Sequence, residues 1–213
     1  VEVAVGYGVG VEQVVLDDVL DLVAGGVRVE PYHVAAVGHD RSDVAIAQVE
    51  HALDDVLLDL YCGMGTIGLS MADHCRELIG VEIVPEAIES AKANAARMGD
   101  AIAAKSRFFC ADAGKAASQL AAEGLHPDVV MLDPPRKGCD EATLSAVVTM
   151  SPRRVVYVSC NPETMARDLA LLTQKGYRAE GFTPVDMFPH SAHCEVVCAL
   201  SRMTPEKKKQ PRQ

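Results

Sequence analysis

The stretch "LDLYCGMGTIGL", residues 58–69, indicates the fold class of this 213-residue chain. An apolar run ends in a turn that contains Gly63 and Gly65, and a helical pattern follows. Such a turn lets the backbone approach a ligand closely at a helix N-terminus. No Gly-Lys-Ser/Thr follows, so the turn is not a Walker loop, and its glycines fit the three-glycine dinucleotide pattern only loosely. Many nucleotide-binding folds share this turn, so the neighbouring segments must narrow the choice.

Strand and helix patterns alternate from residue 54 onward. The predicted strands of this alternation cover residues 55–60, 77–83, 106–112, 127–133 and 153–160. Two last extended runs, around 178–188 and 193–202, have no helix between them and are expected to pair as an antiparallel hairpin at one edge. Apolar strands that alternate with helices predict a parallel sheet covered on both faces. We therefore expect a doubly wound α/β domain with ligands at the carboxyl ends of its strands.

Composition and charge limit the class of protein. The formal charge is −10, which argues against a surface that binds nucleic acid throughout but allows a local basic patch. The seven cysteines are irregularly spaced without a CxxC pair, and no apolar run approaches the ~20 residues of a membrane helix. We expect free thiols in a reducing cytoplasm, no membrane contact and a monomer. Because position 1 is not Met, the chain is expected to be a fragment of a longer protein.

Acidic residues lie at the ends of four consecutive predicted strands: Asp59, Glu82, Asp112 and Asp133. An acid at the end of the second strand accepts hydrogen bonds from ribose hydroxyls, which is the role expected for Glu82; a solvated strand-end carboxylate is the alternative. Four carboxylates at one crevice fit S-adenosylmethionine, whose sulfonium is cationic. A nicotinamide cofactor remains possible.

The stretch "YVSCNPETMARD", residues 157–168, places Cys160 at the end of the fifth predicted strand. A helix N-terminus follows, which favours a thiolate, whereas a buried structural cysteine is the usual alternative. Glu195 begins the last run, where a carboxylate near a thiol can act as a base. A zinc site at His190, His193, Cys194 and Glu195 is the competing interpretation, but no second ligand pair has a suitable spacing.

The stretch "LDPPRKGCDE", residues 132–141, adds positive charge at the end of the fourth strand. Two prolines stiffen the strand exit, and Arg136 and Lys137 follow them. These side chains are candidates for holding an RNA phosphate, together with Arg167 on the next helix. A surface turn with solvated charges is the alternative.

These motifs resemble those of one family, the S-adenosylmethionine-dependent RNA (uracil-5-)-methyltransferases of ribosomal and transfer RNA. The matching stretches are "LDLYCGMGTIGL", "GVEIVPEAIESAKANA", "DPPRKG", "YVSCNPETMARDL" and "DMFPHSAHCE". The resemblance implies a Rossmann-like methyltransferase sheet with S-adenosyl-L-methionine as cofactor and RNA as partner. It gives residues 54–202 as the methyltransferase domain. Residues 1–53 are expected to be an N-terminal segment of uncertain role packed on this domain, and the basic, polar residues 203–213 a disordered tail. No metal is expected in this fragment.

The resemblance also implies residue roles. Cys160 matches the family nucleophile and Glu195 its base. The matching cofactor contacts are Tyr61, Gly63, Thr66, Glu82, Asp112 and Asp133. The Phe-x-Gln-Val-Asn stretch that family members carry before the glycine turn is not found, and Gln48 is a poor match. Neither an RNA-binding barrel nor an iron–sulfur cluster, which some members add, is expected in this fragment.

The chemistry of uracil supports the implied roles. C5 is a poor nucleophile until a thiolate adds to C6, and a base must afterwards remove the C5 proton. The target base must also leave its stack to reach the thiol. Two alternatives stay open: a methyltransferase that acts on another substrate by direct transfer, and a non-catalytic RNA-binding or assembly module.

Overall fold

The computed structural model describes residues 54–185 and 194–203. Its strands are β1 (Val56–Leu60), β2 (Glu77–Glu82), β3 (Ser106–Cys110), β4 (Val129–Leu132), β5 (Arg154–Ser159), β6 (Tyr177–Val185) and β7 (Glu195–Arg202). Its α-helices are α1 (Thr66–Ser70), α2 (Pro85–Met98), α3 (Asp100–Lys105), α4 (Ala113–Ala122), α5 (Glu141–Met150) and α6 (Pro162–Gln174). A short 3-10 helix, Ala72–His74, follows α1.

One seven-stranded sheet has the order β3-β2-β1-β4-β5-β7-β6. The first five strands are parallel, and β7 is inserted antiparallel between β5 and β6. The predicted doubly wound sheet with a C-terminal antiparallel hairpin is therefore confirmed. Because β1 and β4 are neighbours, the chain reverses its direction of winding between them, and that is where such sheets bind ligands.

Two apolar layers cover the sheet. On one face, Ile67, Ala95 and Ile102 of the first three helices pack on Leu57 and Leu78. On the other face, the core contains these residues of α4, α5 and α6: Ala117, Leu144, Val147, Met165, Leu169 and Leu172. Burying a side chain of this size stabilises the fold by roughly 1.5–3 kcal/mol. Burial on both faces explains why the strands are apolar throughout.

Local signals fix where the helices begin. Asp140 caps α5 by accepting a hydrogen bond from the Thr143 N–H at 2.7 Å. Asn161 caps α6 by accepting from the Glu163 N–H at 3.1 Å, and Pro162 occupies the first helical position. Such caps satisfy N–H groups that have no partner inside the helix. The second cap fixes the chain direction immediately after Cys160.

The structure corrects three expectations about the first half of the domain. The helix expected after the glycine turn ends at Ser70, and α3 was not expected. Gly99, with φ 120°, ends α2, and α3 begins at the next residue. Ile102 of α3 is buried against the core, which holds this short helix on the sheet. Asp59 lies inside β1 and is 2% exposed, and its Oδ2 accepts from the Gly68 N–H at 3.1 Å. It therefore does not face the crevice with the other carboxylates.

Some expectations concern residues outside the described ranges. These are the packing of residues 1–53, the zinc alternative at His190 and His193, and the tail, of which only Met203 is described. Across 54–185 and 194–203, every helix is too short or too polar to span a membrane.

Candidate active site

The glycine turn after β1 has a left-handed backbone. Tyr61, Gly63 and Gly65 have φ values of 77°, 54° and 80°. A Cβ added to Gly65 would lie 2.9 Å from Leu69 Cδ1, whereas one added to Gly63 would meet nothing within 4 Å. Gly65 is therefore required by packing as well as by its φ, and the turn is open at Gly63. That open side is suited to a ligand that approaches the backbone.

Glu82 joins this turn to the end of β2. Its Oε2 accepts from the Gly63 N–H at 3.1 Å, and its Oε1 accepts from the N–H groups of Ile83 and Val84 at 2.8 and 3.0 Å. A carboxylate offers about four acceptor positions. Three of them are used by the backbone, so a ribose hydroxyl would have to share or use the remaining one. The ribose role of Glu82 stays a prediction.

The other predicted cofactor contacts have different surroundings. Asp112 follows β3, and its Oδ1 caps α4 by accepting from the Lys115 N–H at 3.1 Å. Thr66 is the exposed first residue of α1, and Asp133 is half-buried directly after β4. Glu82, Asp112 and Asp133 thus lie at the carboxyl ends of three strands, as the sequence predicted.

Tyr61 points away from the open side of the turn. Its hydroxyl lies 3.5 Å from Thr143 Oγ1 on α5, and its ring packs against the core below α4–α6. Burial raises the pKa of the Tyr61 phenol, so the hydroxyl stays protonated at neutral pH. The backbone of Tyr61 forms part of the glycine turn, whereas its side chain packs towards α5. Its contact with a cofactor stays a prediction.

Sheet register brings Cys160 and Glu195 to the same place. The last pair of the β5–β7 ladder is Ser159 with Val196, and the next residue on each strand is Cys160 and Glu195. Directly opposite residues of an antiparallel pair have Cα atoms about 4.5–5.5 Å apart. Glu195 is 5% exposed and Cys160 is half-buried. A thiol and a buried carboxylate are therefore neighbours at the carboxyl edge of the sheet.

Four of the other cysteines are buried thiols with a raised pKa. Burial raises the pKa of the thiols of Cys62, Cys75 and Cys198, and it raises that of Cys139 to about 12. A thiol with a raised pKa has little thiolate at neutral pH and is a poor nucleophile. These four thiols are therefore poor candidates for the nucleophile.

The predicted RNA contacts lie on or beside the 133–140 loop, which joins β4 to α5. Arg136 and Lys137 are exposed. The guanidinium of Arg167 donates to the Lys137 carbonyl at 3.0 Å and the Cys139 carbonyl at 3.2 Å, and it forms an ion pair with Asp168. The prediction that Arg167 contacts RNA stays untested, and its recorded contacts are to this loop and to Asp168.

Sequence reasoning missed Asp168, which is completely buried on α6. Its Oδ2 accepts from the Tyr157 hydroxyl at 2.5 Å and the Cys139 N–H at 2.7 Å, and its Oδ1 accepts from Arg167 Nε at 2.8 Å. We call Cys139, Tyr157, Arg167 and Asp168 the Asp168 network. The available signal was an acid on the apolar face of a predicted helix, between Met165 and Leu172.

A sequence profile described as tRNA (Uracil-5-)-methyltransferase matches residues 34–203. The chain belongs to this family. The resemblance drawn from the motifs is confirmed.

Two curated relatives of this family member are named as uncharacterized RNA methyltransferases. One, from Staphylococcus aureus (strain MRSA252), is 48% identical over 74% of this chain and 34% of its own length. The other, from Halalkalibacterium halodurans, is 49% identical over 68% of this chain and 31% of its own length. The chain thus spans about a third of the length of the curated relatives it matches.

Solved structures give a similar result. The tRNA (uracil-54, C5)-methyltransferase of Pyrococcus abyssi, solved in complex with S-adenosyl-L-homocysteine, is 30% identical with a TM-score of 0.61, over 74% of this chain and 37% of its own. The precorrin-6y C5,15-methyltransferase of Geobacter metallireducens has a TM-score of 0.62 at 16% identity, over 76% of this chain and 86% of its own. The second likeness concerns the fold alone.

Proposed function

We propose that this chain is the catalytic part of an RNA methyltransferase that transfers a methyl group to C5 of a uridine in transfer or ribosomal RNA. The observation that carries the proposal is the register that makes Cys160 and Glu195 neighbours at the carboxyl edge of the sheet. Family membership supports RNA methylation, and the Pyrococcus abyssi relative acts on C5 of a tRNA uracil.

The residues at the edge of β1–β4 fit S-adenosyl-L-methionine. The turn is open at Gly63, and carboxylates follow three neighbouring strands. Glu82, Asp112 and Asp133 suit a cationic ligand that carries ribose hydroxyls, and exposed Ile83 and Val84 offer an apolar surface to a flat base. When bound, this cofactor supplies the methyl group from its sulfonium and leaves as S-adenosyl-L-homocysteine.

Cys160 and Glu195 perform the remaining steps. The Cys160 thiolate attacks C6 of the uracil, an S–C6 bond forms, and the electrons of the C5–C6 double bond move to the C4 carbonyl oxygen as an enolate. C5 becomes nucleophilic and accepts the methyl group. Glu195 then removes the C5 proton, the double bond forms again, and the S–C6 bond breaks to release the thiolate. At the end of the cycle Cys160 is again a thiolate. Glu195 returns to its starting state when it passes the proton taken from C5 to solvent.

RNA binding is assigned to the 133–140 loop. Arg136 and Lys137 are exposed there, and the cap of α6 lies beside them because Asn161 Nδ2 donates to the Arg136 carbonyl at 3.1 Å. With a net charge of −10, the chain by itself is expected to bind RNA weakly and to lose affinity as salt rises. Tight binding with little salt dependence would contradict this assignment.

The proposal is tested by covalent trapping on a denaturing gel with labelled RNA. Wild-type protein should be trapped on RNA that contains 5-fluorouridine, because fluorine cannot leave C5 as a cation. Cys160→Ala should form no adduct. Glu195→Gln should add to C6 of ordinary RNA, transfer the methyl group and stop as a covalent complex, because the C5 proton stays in place.

The same gel distinguishes the alternatives. Methylation by Cys160→Ala at the wild-type rate would show direct transfer without an adduct. Normal turnover by Glu195→Gln would assign the base to another residue, with Asp133 the next candidate at this edge. Failure of the full-length protein to bind S-adenosyl-L-methionine in calorimetry would favour a non-catalytic module.

A further inference from the structure

The 133–140 loop is held against α6 by side chains from the N-cap and the first two turns of that helix. Asn161 Nδ2 and Thr164 Oγ1 both donate to the Arg136 carbonyl at 3.1 Å. Arg167 Nη2 donates to the Lys137 and Cys139 carbonyls at 3.0 and 3.2 Å. The carbonyl oxygens of this loop are therefore used by α6, while the side chains of Arg136 and Lys137 stay exposed.

Asp168 is the centre of this contact. Its carboxylate is completely buried and accepts from a loop N–H, a tyrosine hydroxyl and a guanidinium. Removing Asp168 alone would leave its buried donors without an acceptor, but replacing a whole buried ionic group by apolar residues is often neutral or stabilising. Asp168 also interrupts the apolar face that Met165 and Leu172 form on the same helix. Stability alone therefore does not explain why this contact is polar.

The loop approaches α6 so closely that a side chain is excluded. Gly138 has φ 77°, and a Cβ there would lie 2.6 Å from both Arg167 Nη2 and Asp168 Oδ2. The loop thus packs closely on α6, and that helix begins two residues after Cys160. The Asp168 network and the α6 cap therefore join the cationic loop to the helix that directly follows the thiol.

We propose that Asp168 is a positioning residue for the methylation reaction. With Tyr157 and Arg167 it fixes the 133–140 loop, and thereby sets where Arg136 and Lys137 hold the RNA relative to the Cys160 thiol. Asp168 itself contacts neither substrate nor cofactor, and Arg167 holds the loop rather than the RNA. The inference rests on the function proposed above, because it needs Cys160 to be the nucleophile.

A pair of matched tyrosine variants tests the role. Tyr157 and Tyr177 are both buried, at 0% and 1% exposure, and each hydroxyl donates to one acceptor, Asp168 at 2.5 Å and the Pro152 carbonyl at 3.0 Å. Tyr157→Phe removes a bond to the Asp168 network. Tyr177→Phe removes one at the opposite edge of the sheet, where β5 begins. The two changes should lower the melting temperature of the full-length protein by similar amounts.

The deciding measurement is the single-turnover rate of adduct formation with RNA that contains 5-fluorouridine, at saturating cofactor and at several RNA concentrations. Tyr157→Phe should lower this rate several-fold and Asp168→Asn by about 100-fold, since a misplacement of about 1 Å can cost that much. The Tyr177→Phe rate should equal that of the wild type. Calorimetric affinity for S-adenosyl-L-methionine should be unchanged in all three, because the glycine turn lies on another strand and Asp133 directly follows β4, before the part of the loop that the Asp168 network holds.

The outcomes separate the two proposals. No adduct in the wild-type protein would overturn the proposed function and the positioning role with it. If the wild type forms an adduct, and Tyr157→Phe and Asp168→Asn form it as fast as Tyr177→Phe, the positioning role alone is overturned. If Asp168→Asn fails to fold, the comparison between the two tyrosine variants decides.

Discussion

The two halves of the sheet hold the loops at their carboxyl edge by different means. In the half formed by β1–β3, the half-buried Glu82 holds the glycine turn through the Gly63 N–H and also accepts from the N–H groups of Ile83 and Val84. In the half formed by β4–β7, the completely buried Asp168 holds the 133–140 loop with a guanidinium, a phenol and one backbone N–H. The first arrangement leaves the turn open at Gly63, whereas the second packs the loop closely on α6 at Gly138.

A pair of glycines shows the same difference. Gly63 and Gly138 both have left-handed φ values, but a Cβ would meet nothing within 4 Å at Gly63 and two polar atoms at 2.6 Å at Gly138. An open turn leaves space for a cofactor to enter and leave. A closed loop keeps a nucleophile and its substrate contacts in fixed relative positions. The difference therefore matches a cofactor half and a substrate half in the proposed reaction.

The largest expected effect is on the free energy of unfolding, when the carboxylates of Asp168 and Glu82 are removed one at a time. Asp168→Ala should lower the free energy of unfolding by about 4 kcal/mol, because it leaves the buried Tyr157 hydroxyl and Cys139 N–H without an acceptor. Glu82→Ala should cost only about 1 kcal/mol, since water can reach the N–H groups it leaves. Urea unfolding measures both. Equal losses in the two variants would contradict the contrast between a buried and an open anchor.

Alanine at the two glycines should give the next effect. Both substitutions place a side chain at a left-handed φ, which costs about 1 kcal/mol. Gly138→Ala adds the overlap with the Asp168 network, so we expect a total loss of about 3 kcal/mol. The same unfolding assay gives both values, and Gly63→Ala is the control for the backbone cost. A Gly138→Ala protein as stable as Gly63→Ala would show that the loop can move aside.

Cofactor affinity should depend on Glu82 and not on the Asp168 network, which is the reverse of the order expected for the free energy of unfolding. Glu82→Ala should weaken S-adenosyl-L-methionine binding by about 1–3 kcal/mol, because polar cofactor groups lose an acceptor and the glycine turn loses its anchor. Tyr157→Phe should leave the affinity unchanged. Titration calorimetry checks both, and Glu82→Gln, which keeps an acceptor, should fall between wild type and Glu82→Ala. Unchanged affinity in Glu82→Ala would remove this residue from the cofactor site.

The smallest effect is a pH dependence at the end of the 133–140 loop. Hydrogen bonding from the Thr143 backbone lowers the pKa of the Asp140 carboxyl below its ordinary value. Because the folded-state pKa lies below the unfolded value of about 3.9, Asp140 stabilises the fold above that pH, and this contribution is lost as the pH falls through the folded-state pKa.

Asp140→Asn retains a capping acceptor but does not titrate. Between about pH 6 and about pH 3, its free energy of unfolding should therefore fall slightly less than that of the wild type. Asp140 is exposed, so the difference should be small. A steeper fall in the variant would mean that the cap does not stabilise the ionised form.

The sequence by itself determined the fold class and the main chemistry-bearing positions. Apolar runs followed by glycine turns, caps and prolines are local signals, and they located the strands and most helices of the described domain. Cys160, Glu195, Glu82, Asp112 and Asp133 lie at strand ends because the strand boundaries were visible in the chain. For Cys160, Glu82, Asp112 and Asp133, a position at one edge follows from parallel strands alone.

Only the tertiary structure decided which of these residues are neighbours and what holds them. The insertion of β7 between β5 and β6 brings Cys160 beside Glu195, and no local pattern encodes that register. Asp59 looked like a crevice carboxylate but supports α1 from inside the sheet. Asp168 was missed by the sequence reasoning and is the buried centre of a loop contact. The physical reason is that burial and pairing of a charged side chain depend on elements far away in the chain.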